Sequence, residues 1–214
     1  MEQAAEITVK GYGSASAMPD GISISLSVLS QKKVYAQAIE GLNTKVSAIS
    51  LALTRAGCTE PAVTKSYGVS EVWTDQYDFA KRQFQGYQAT QKLGVTIPVD
   101  NVLLGRVFEE LSKGDSQPDI GITFVVRDHA AMEKFARISA VLNAKEAAGD
   151  LADASDLKLM AVKSINFTGS RSAYGSGFSL ASCDMASTPE VTPDVISHEE
   201  SVQMVWLAEP KTAK

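Results

Sequence analysis

Alternating apolar and polar residues mark the start of the chain as β structure. Ile7-Thr8-Val9-Lys10 alternates before Gly11, and residues 22–28 alternate strictly. A period of two with one apolar side is typical of a half-buried strand. Met18-Pro19-Asp20-Gly21 lies between the two runs and favours a turn, because proline presets φ and glycine accepts positive φ. The pattern predicts a β-hairpin with a longer connection.

The apolar spacing changes to a helical period after residue 34. Six apolar residues recur at intervals of three and four and would share one stripe of a helix: Tyr35, Ile39, Leu42, Val46, Ile49 and Leu53. We expect Ser30 to cap this helix and Gly57 to end it. The stripe spans fewer than three heptads, which favours a helix lying on a sheet over a coiled-coil seam.

Two further helices are predicted from their capping residues. Asp100 would cap the first, which ends at Gly114, and Asp128 would cap the second, which runs over residues 129–154. The second helix is rich in alanine. Its larger apolar residues are Met132, Phe135, Leu142 and Leu151.

The remaining apolar runs predict strands. Residues 63–73 and 84–99 form two long strands, and the polar tip between them, 74–83, indicates a hairpin that projects from the body. Shorter strands are expected at 120–126, 157–167 and 201–207. Residues 169–198 are rich in Ser, Gly and Pro and predict a long loop.

The order of elements, β-β-α-β-β-α-β-α-β-loop-β, indicates the fold class. Strands arrive both as hairpins and between helices, which argues for α+β rather than doubly wound α/β. We expect two small two-layer α/β-sandwich subdomains, with the last strand returning to the first. The predicted boundaries are 1–83 with 199–214, then 84–168, with the loop at 169–198.

Composition narrows the class of partner. The 214 residues are 44% apolar and 21% charged, which is typical of a globular protein. Asp and Glu number 25 against 20 Lys and Arg, and this acidic balance disfavours a nucleic-acid partner. The longest apolar runs are strand-sized, below the roughly 18 residues of a membrane span. Residues 1–6 are acidic and unlike a signal peptide, so the chain is either cytoplasmic or a mature exported form with an added Met.

Candidate chemistry is sparse. The two histidines, His129 and His198, lack spaced partners and favour surface or capping roles over metal ligation. Cys58 and Cys183 form no CxxC motif, and two free thiols are favoured over a disulfide. Gly11-Tyr12-Gly13 precedes a turn and a strand, not the helix that a dinucleotide site needs. We therefore expect no catalytic residue, no metal and no cofactor.

Aromatic residues concentrate around the predicted projecting hairpin. They are Trp73, Tyr77, Phe79, Phe84 and Tyr87. Ordinary sheet packing would explain them. The alternative is an interface, because aromatic side chains beside an exposed hairpin favour association with another protein or another copy.

Four blocks of sequence share the order and spacing of one known family. They are Ile7-Thr8-Val9-Lys10-Gly11-Tyr12-Gly13 with Pro19-Asp20, Gly86-Tyr87-Gln88-Ala89, the alanine-rich helix into Leu151-Ala152, and Thr188-Pro189 through Val202-Gln203-Met204-Val205-Trp206. Together they resemble the SIMPL domain of bacterial periplasmic immunogenic and oxidative-stress-defence proteins. One departure is Asp156, where the family usually has Gly after the third helix; Asp tolerates the left-handed region better than most residues.

The resemblance implies an α+β protein of two small subdomains in the periplasm or cell envelope, with some relatives forming large rings. No catalytic residues are established for the family. We therefore expect a non-enzymatic, self-associating scaffold, loosely linked to stress defence. The alternatives are a monomeric module that binds a peptide or small ligand in the cleft between subdomains, and a cytoplasmic location.

Overall fold

The computed structural model describes residues 5–74, 82–173, 178–180 and 193–211, with the backbone alone for 168–173 and 178–180. Its strands are β1 (Ala5–Ala17), β2 (Gly21–Lys32), β3 (Val63–Trp73), β4 (Phe84–Pro98), β5 (Asp119–Val125), β6 (Leu157–Ala173), β7 (Phe178–Leu180) and β8 (Ile196–Pro210). Its helices are α1 (Tyr35–Ala56), α2 (Asn101–Ser112) and α3 (His129–Ala154). The predicted α+β class and order are confirmed, with β7 added inside the predicted loop.

The described strands form two antiparallel sheets. One has the order β1-β8-β6 and the other β3-β4-β2-β5-β7. The predicted β1–β2 hairpin is therefore wrong. β1 pairs instead with β8 along its whole length, from Ala5 opposite Ala208 to Ala17 opposite Ile196. The Pro19 turn is a local signal, whereas the choice of strand partner depends on burial against residues far along the chain.

The chain packs into two compact units whose boundaries differ from the predicted ones. The first unit contains 1–18, 126–175 and 194–214, and the second contains 19–125 and 176–193. The prediction of 1–83 with 199–214, 84–168 and a loop at 169–198 kept β1 and β2 together, but they belong to different sheets. The last strand, β8, does return to the sheet that contains the first strand, β1. β6 reaches Ala173 and β8 begins at Ile196, so strand replaces both ends of the predicted loop.

In the second unit, large aliphatic side chains form the core between α1 and the sheet. Helix α1 packs on β2 and β4 and buries Leu42, Ile49 and Leu53, which confirms a helix on a sheet. Ser30 is not its cap: Val34 holds that position, and Ser30 lies buried in β2. Gly57 ends the helix with φ +98°, as predicted.

Gly41 lies where α1 crosses β2. A Cβ at this position would lie 2.5 Å from the Ser30 Oγ. Helix α2 begins as predicted, because Asp100 Oδ1 accepts hydrogen bonds from the N–H groups of Val102 (2.8 Å) and Leu103 (3.1 Å).

In the first unit, α3 lies on β1 and β8 through small residues. After Met132, every fourth residue of the buried face is alanine: Ala136, Ala140, Ala144, Ala148 and Ala152. Of the larger apolar residues of this helix, Phe135, Leu142 and Leu151 are at least half exposed. The backbones approach closely, since a Cβ at Gly13 would lie 2.1 Å from the Ala136 carbonyl oxygen. Gly11 and Gly13 therefore serve helix packing.

The ends of α3 agree with the sequence. Asp128 Oδ1 accepts a hydrogen bond from the Ala131 N–H at 3.0 Å. Asp156 follows the helix with φ +54°, in the left-handed region where the family usually has glycine. The expected tolerance of Asp for this conformation is confirmed.

Candidate functional site

Four aromatic rings form a continuous row at the end of the β3–β4 hairpin where the two strands are connected. The rings of Trp73 and Phe84 are 5.3 Å apart between centroids, and those of Phe84 and Tyr87 are 5.2 Å apart. Tyr35, at the start of α1, lies 5.3 Å from Tyr87. All three contacts are edge-to-face, the geometry that aromatic pairs favour. We call these four residues the aromatic surface.

A bulge in β4 brings Phe84 and Tyr87 to the same side of the sheet. In a regular strand, residues three apart point to opposite faces. Here Val72 pairs with Gly86 and Trp73 with Phe84, so Gln85 is an extra residue. Gly86 adopts φ +129°, and a Cβ there would lie 2.4 Å from the Lys32 carbonyl oxygen. The glycine of the Gly86-Tyr87-Gln88-Ala89 block thus builds the aromatic surface.

The hairpin end is held by hydrogen bonds. The Thr74 N–H donates to the Gln83 carbonyl at 3.0 Å, and the Gln83 N–H donates to Thr74 Oγ1 at 2.9 Å. The indole N–H of Trp73 donates to Glu71 Oε2 at 3.1 Å. These bonds fix the positions of Trp73 and Phe84 before any partner binds.

The aromatic surface remains accessible to a partner. Trp73 is 47% exposed, Phe84 36% and Tyr35 50%. Of the five predicted interface residues, the structure brings together Trp73, Phe84 and Tyr87, while Tyr77 and Phe79 lie outside the described residues. Tyr35 was assigned to the core stripe of α1, but it is half exposed.

A largely exposed strip of α1 begins at Tyr35 and continues along the helix. Ile39, Asn43 and Ser47 line it at helical spacing, with Glu40 beside them. Because Tyr35 belongs to both, this strip continues the aromatic surface along the helix.

The first unit contains a buried polar pair that the sequence did not reveal. His198 is 1% exposed and Glu200 3%. The His198 Nε2 lies 3.3 Å from Glu200 Oε1, and an Arg137 guanidinium nitrogen lies 3.4 Å from the same oxygen. The His129 ring stands edge-to-face on the His198 ring at 5.1 Å. The predicted surface or capping role is therefore wrong for His198.

Arg137 of α3 contacts this polar pair of β8. Arg137 balances the Glu200 charge and also lies over the Phe167 ring, with its Cζ 5.1 Å from the centroid. Among the described residues, His198 Nδ1 and Glu200 Oε2 have no hydrogen-bond partner. Since both side chains are buried, bulk solvent does not reach them directly. The pair ties β8 to α3 at the helix's N-terminal half.

Cys58 carries a free thiol directly after α1. Burial raises the pKa of this thiol, and the nearby Arg106 guanidinium partly opposes the shift. Cys183 lies outside the described residues. Within the described ranges, no three His, Cys, Asp or Glu side chains are grouped to hold a metal ion. No helix in those ranges is long and apolar enough to span a membrane.

A comparison with protein-family models gives a match to nearly the whole chain. A family model, SIMPL, described as a protein of unknown function (DUF541), matches residues 7–206. No protein with a curated description matches the chain. A solved structure described as a hydrolase from Listeria innocua aligns over 92% of each chain with 11% identity and a TM-score of 0.20. A TM-score this low supports no argument about fold or activity.

Proposed function

This chain belongs to the SIMPL family, and on that premise we propose that it is a non-enzymatic, self-associating scaffold of the bacterial cell envelope. The observation that carries the proposal is the aromatic surface. Trp73, Phe84 and Tyr35 keep a third to a half of their area in water although hydrogen bonds and ring contacts already fix their positions.

Aromatic side chains whose positions are already ordered in the free protein favour association. Aromatic side chains are enriched at protein interfaces and supply large contact areas with little loss of rotamer freedom. Here the ring contacts order Trp73 and Phe84 in the free protein, so binding costs less conformational entropy. A second copy of this chain is a partner that is always present, at the same concentration as the first.

The envelope location and the link to stress defence are proposed from the family alone. Fractionation of bacteria that express the protein from its native gene tests the location, with periplasmic and cytoplasmic marker proteins as controls. We expect the protein in the periplasmic or envelope fraction. Recovery with the cytoplasmic marker would contradict this part of the proposal.

Mass in solution tests self-association. We expect light scattering on a sizing column to give a mass several times 22.8 kDa. Trp73→Ala, Tyr77→Ala and Phe84→Ala should reduce it. Phe135→Ala is the matched control, because Phe135 is 65% exposed on α3 and outside the aromatic surface.

Two results would overturn the proposal. A clean monomer at micromolar concentration excludes a stable scaffold and favours the monomeric binding module. An oligomer that Phe84→Ala and Phe135→Ala leave equally intact would show that the aromatic surface does not carry the contact.

A further inference from the structure

Three long described strands lie at sheet edges: β1 and β6 in the first unit and β3 in the second. An edge strand presents a row of unpaired N–H and C=O groups to which another chain can add. Proteins that remain separate usually protect such edges with side-chain caps, bulges, charges or proline. The three edges differ in this protection.

Edges β1 and β6 each carry at least one such device. At β1, Asn143 from α3 reaches the edge and its Oδ1 accepts a hydrogen bond from the Tyr12 N–H at 3.0 Å. Strand β6 is irregular, with register shifts at Leu159/Val162, Val162/Ser164 and Phe167/Ser170. Bulges of this kind twist a strand and interrupt its row of hydrogen-bonding groups.

Within the described part of the chain, edge β3 shows none of these devices over residues 66–73. Its own extra residue is Lys65, before the run, and the extra residue near Trp73 belongs to β4, so β3 advances regularly from Ser66 onward. Most of the run is exposed. It contains no proline and a single charged residue, Glu71.

We propose that β3 pairs antiparallel with β3 of a second copy, around a two-fold axis beside Ser70. This inference rests on the proposed self-association and specifies how two copies meet. A two-fold axis lets one edge pair with itself. Where a residue of the first copy faces a different residue of the second, the same two residues also face each other with the copies exchanged. The result is a sheet that continues from one copy into the next.

The side chains select this register. With Ser70 facing itself, Tyr67 faces Trp73 of the second copy, and the reverse pair forms across the axis. Tyr67 and Trp73 are 50% and 47% exposed, and aromatic cross-strand pairs stabilise sheets. Glu71 faces Val69, so the one charge in the run does not meet its own copy. The register also pairs residues 67–73 of the regular run with each other.

The pairing extends the aromatic surface. In the regular run, Tyr67, Glu71 and Trp73 share one face because they differ by even numbers. Trp73 contacts Phe84 on that face. Two paired copies would therefore join their aromatic surfaces across the axis.

A single cysteine at the axis tests the register. In a background of Cys58→Ser and Cys183→Ser, Ser70→Cys places two thiols opposite each other, where directly facing Cβ atoms are about 5 Å apart. We expect mild oxidation to give a disulfide-linked dimer on a non-reducing gel. Ser66→Cys is the control: it is exposed on the same strand, yet its two copies would lie about 27 Å apart.

A charge at the same two positions supplies a second test. Ser70→Lys places two lysines face to face at the axis and should lower the mass in solution by loss of this contact. Ser66→Lys adds the same charge away from the axis and should leave the mass unchanged. Both sites are exposed, so we expect both variants to fold.

The outcomes separate this inference from the proposed function. If the wild-type protein is an oligomer but Ser70→Cys cross-links no better than Ser66→Cys, the edge pairing is wrong and self-association stands. If Ser70→Lys and Ser66→Lys leave equal masses, the pairing is likewise wrong. A monomeric wild-type protein overturns both.

Discussion

Each unit packs one long helix on an antiparallel sheet, but the side chains that the helix buries are large in one unit and small in the other. In the second unit, α1 places Leu42, Ile49 and Leu53 against the sheet. In the first, α3 presents alanines, and the backbone of β1 at Gly13 comes within contact of the helix backbone at Ala136. The same architecture therefore depends on buried side-chain volume in one unit and on close backbone approach in the other.

This difference predicts opposite sensitivities to mutation. A core of large aliphatic residues loses most when side chains are shortened, because transfer free energy is lost and a cavity remains. A layer of alanine and glycine has little to lose by truncation, but added atoms must displace backbone. Substitutions in the two units can test each half of this statement.

Truncation should give the largest effect, in the second unit. Leu42→Ala is expected to lower the free energy of unfolding by about 2–5 kcal/mol, since Leu42 is fully buried. The corresponding change in the first unit, Ala140→Gly, removes one methyl group and should cost about 1–2 kcal/mol, much of it helix propensity. Urea unfolding followed by circular dichroism measures both. Equal costs would break the comparison.

Enlargement should give the next effect, in the first unit. Gly13→Ala would place a Cβ 2.1 Å from the Ala136 carbonyl oxygen and is expected to cost about 1–3 kcal/mol. Gly41→Ala, in α1, is the matched control. There the new Cβ meets the Ser30 hydroxyl at 2.5 Å, which can rotate away, and alanine favours the helix.

The positions of the two tryptophans allow the effects of Gly13→Ala and Gly41→Ala on the first unit to be measured separately. Trp206 is buried in the first unit and Trp73 lies half exposed in the second. In a Trp73→Phe background, fluorescence reports the first unit alone. Gly13→Ala should shift that transition to lower urea, while Gly41→Ala should leave it in place. If Gly41→Ala proved the costlier change in total unfolding free energy, close backbone approach would not distinguish the units.

Local signals predicted much of the fold. Asp100 and Asp128 cap helices by accepting hydrogen bonds from residues two or three positions further along the chain. The local sequence was therefore sufficient to predict both caps. The left-handed backbone conformation of Asp156 was also predictable from the local sequence. The β1–β2 hairpin failed because strand pairing is decided at long range, where β8 offers β1 a partner along its whole length.

The site was only partly predictable. Trp73, Phe84 and Tyr87 were found by their density, but Tyr35 joins them through tertiary packing. His198 gave no signal, because its burial depends on Glu200 and on Arg137 from another element. In α3, the buried face was not predicted from the sequence, since alanines carry too little hydrophobic contrast to mark it.

Helix caps should give smaller effects that still separate the units. Asp100 Oδ1 accepts two backbone N–H groups in the second unit, whereas Asp128 accepts one in the first. Replacement of a capping Asp by Ala typically costs about 1 kcal/mol, within a range of about 0.5–2. We expect Asp100→Ala to lie above Asp128→Ala in that range. Urea midpoints of the two variants test the order, and a costlier Asp128→Ala would contradict it.

The smallest expected effect is a pH dependence at Cys58, in the second unit. Burial raises the pKa of its thiol, so the folded chain holds this proton to higher pH than the unfolded chain does. Its contribution to stability is therefore complete below the ordinary thiol range and declines as pH rises through it. In a Cys183→Ser background, a chromogenic disulfide reagent should label folded Cys58 with a rate profile displaced to higher pH than that of the urea-unfolded chain. Adding Cys58→Ser should remove the corresponding slope of stability against pH. Overlapping folded and unfolded rate profiles would contradict the shift.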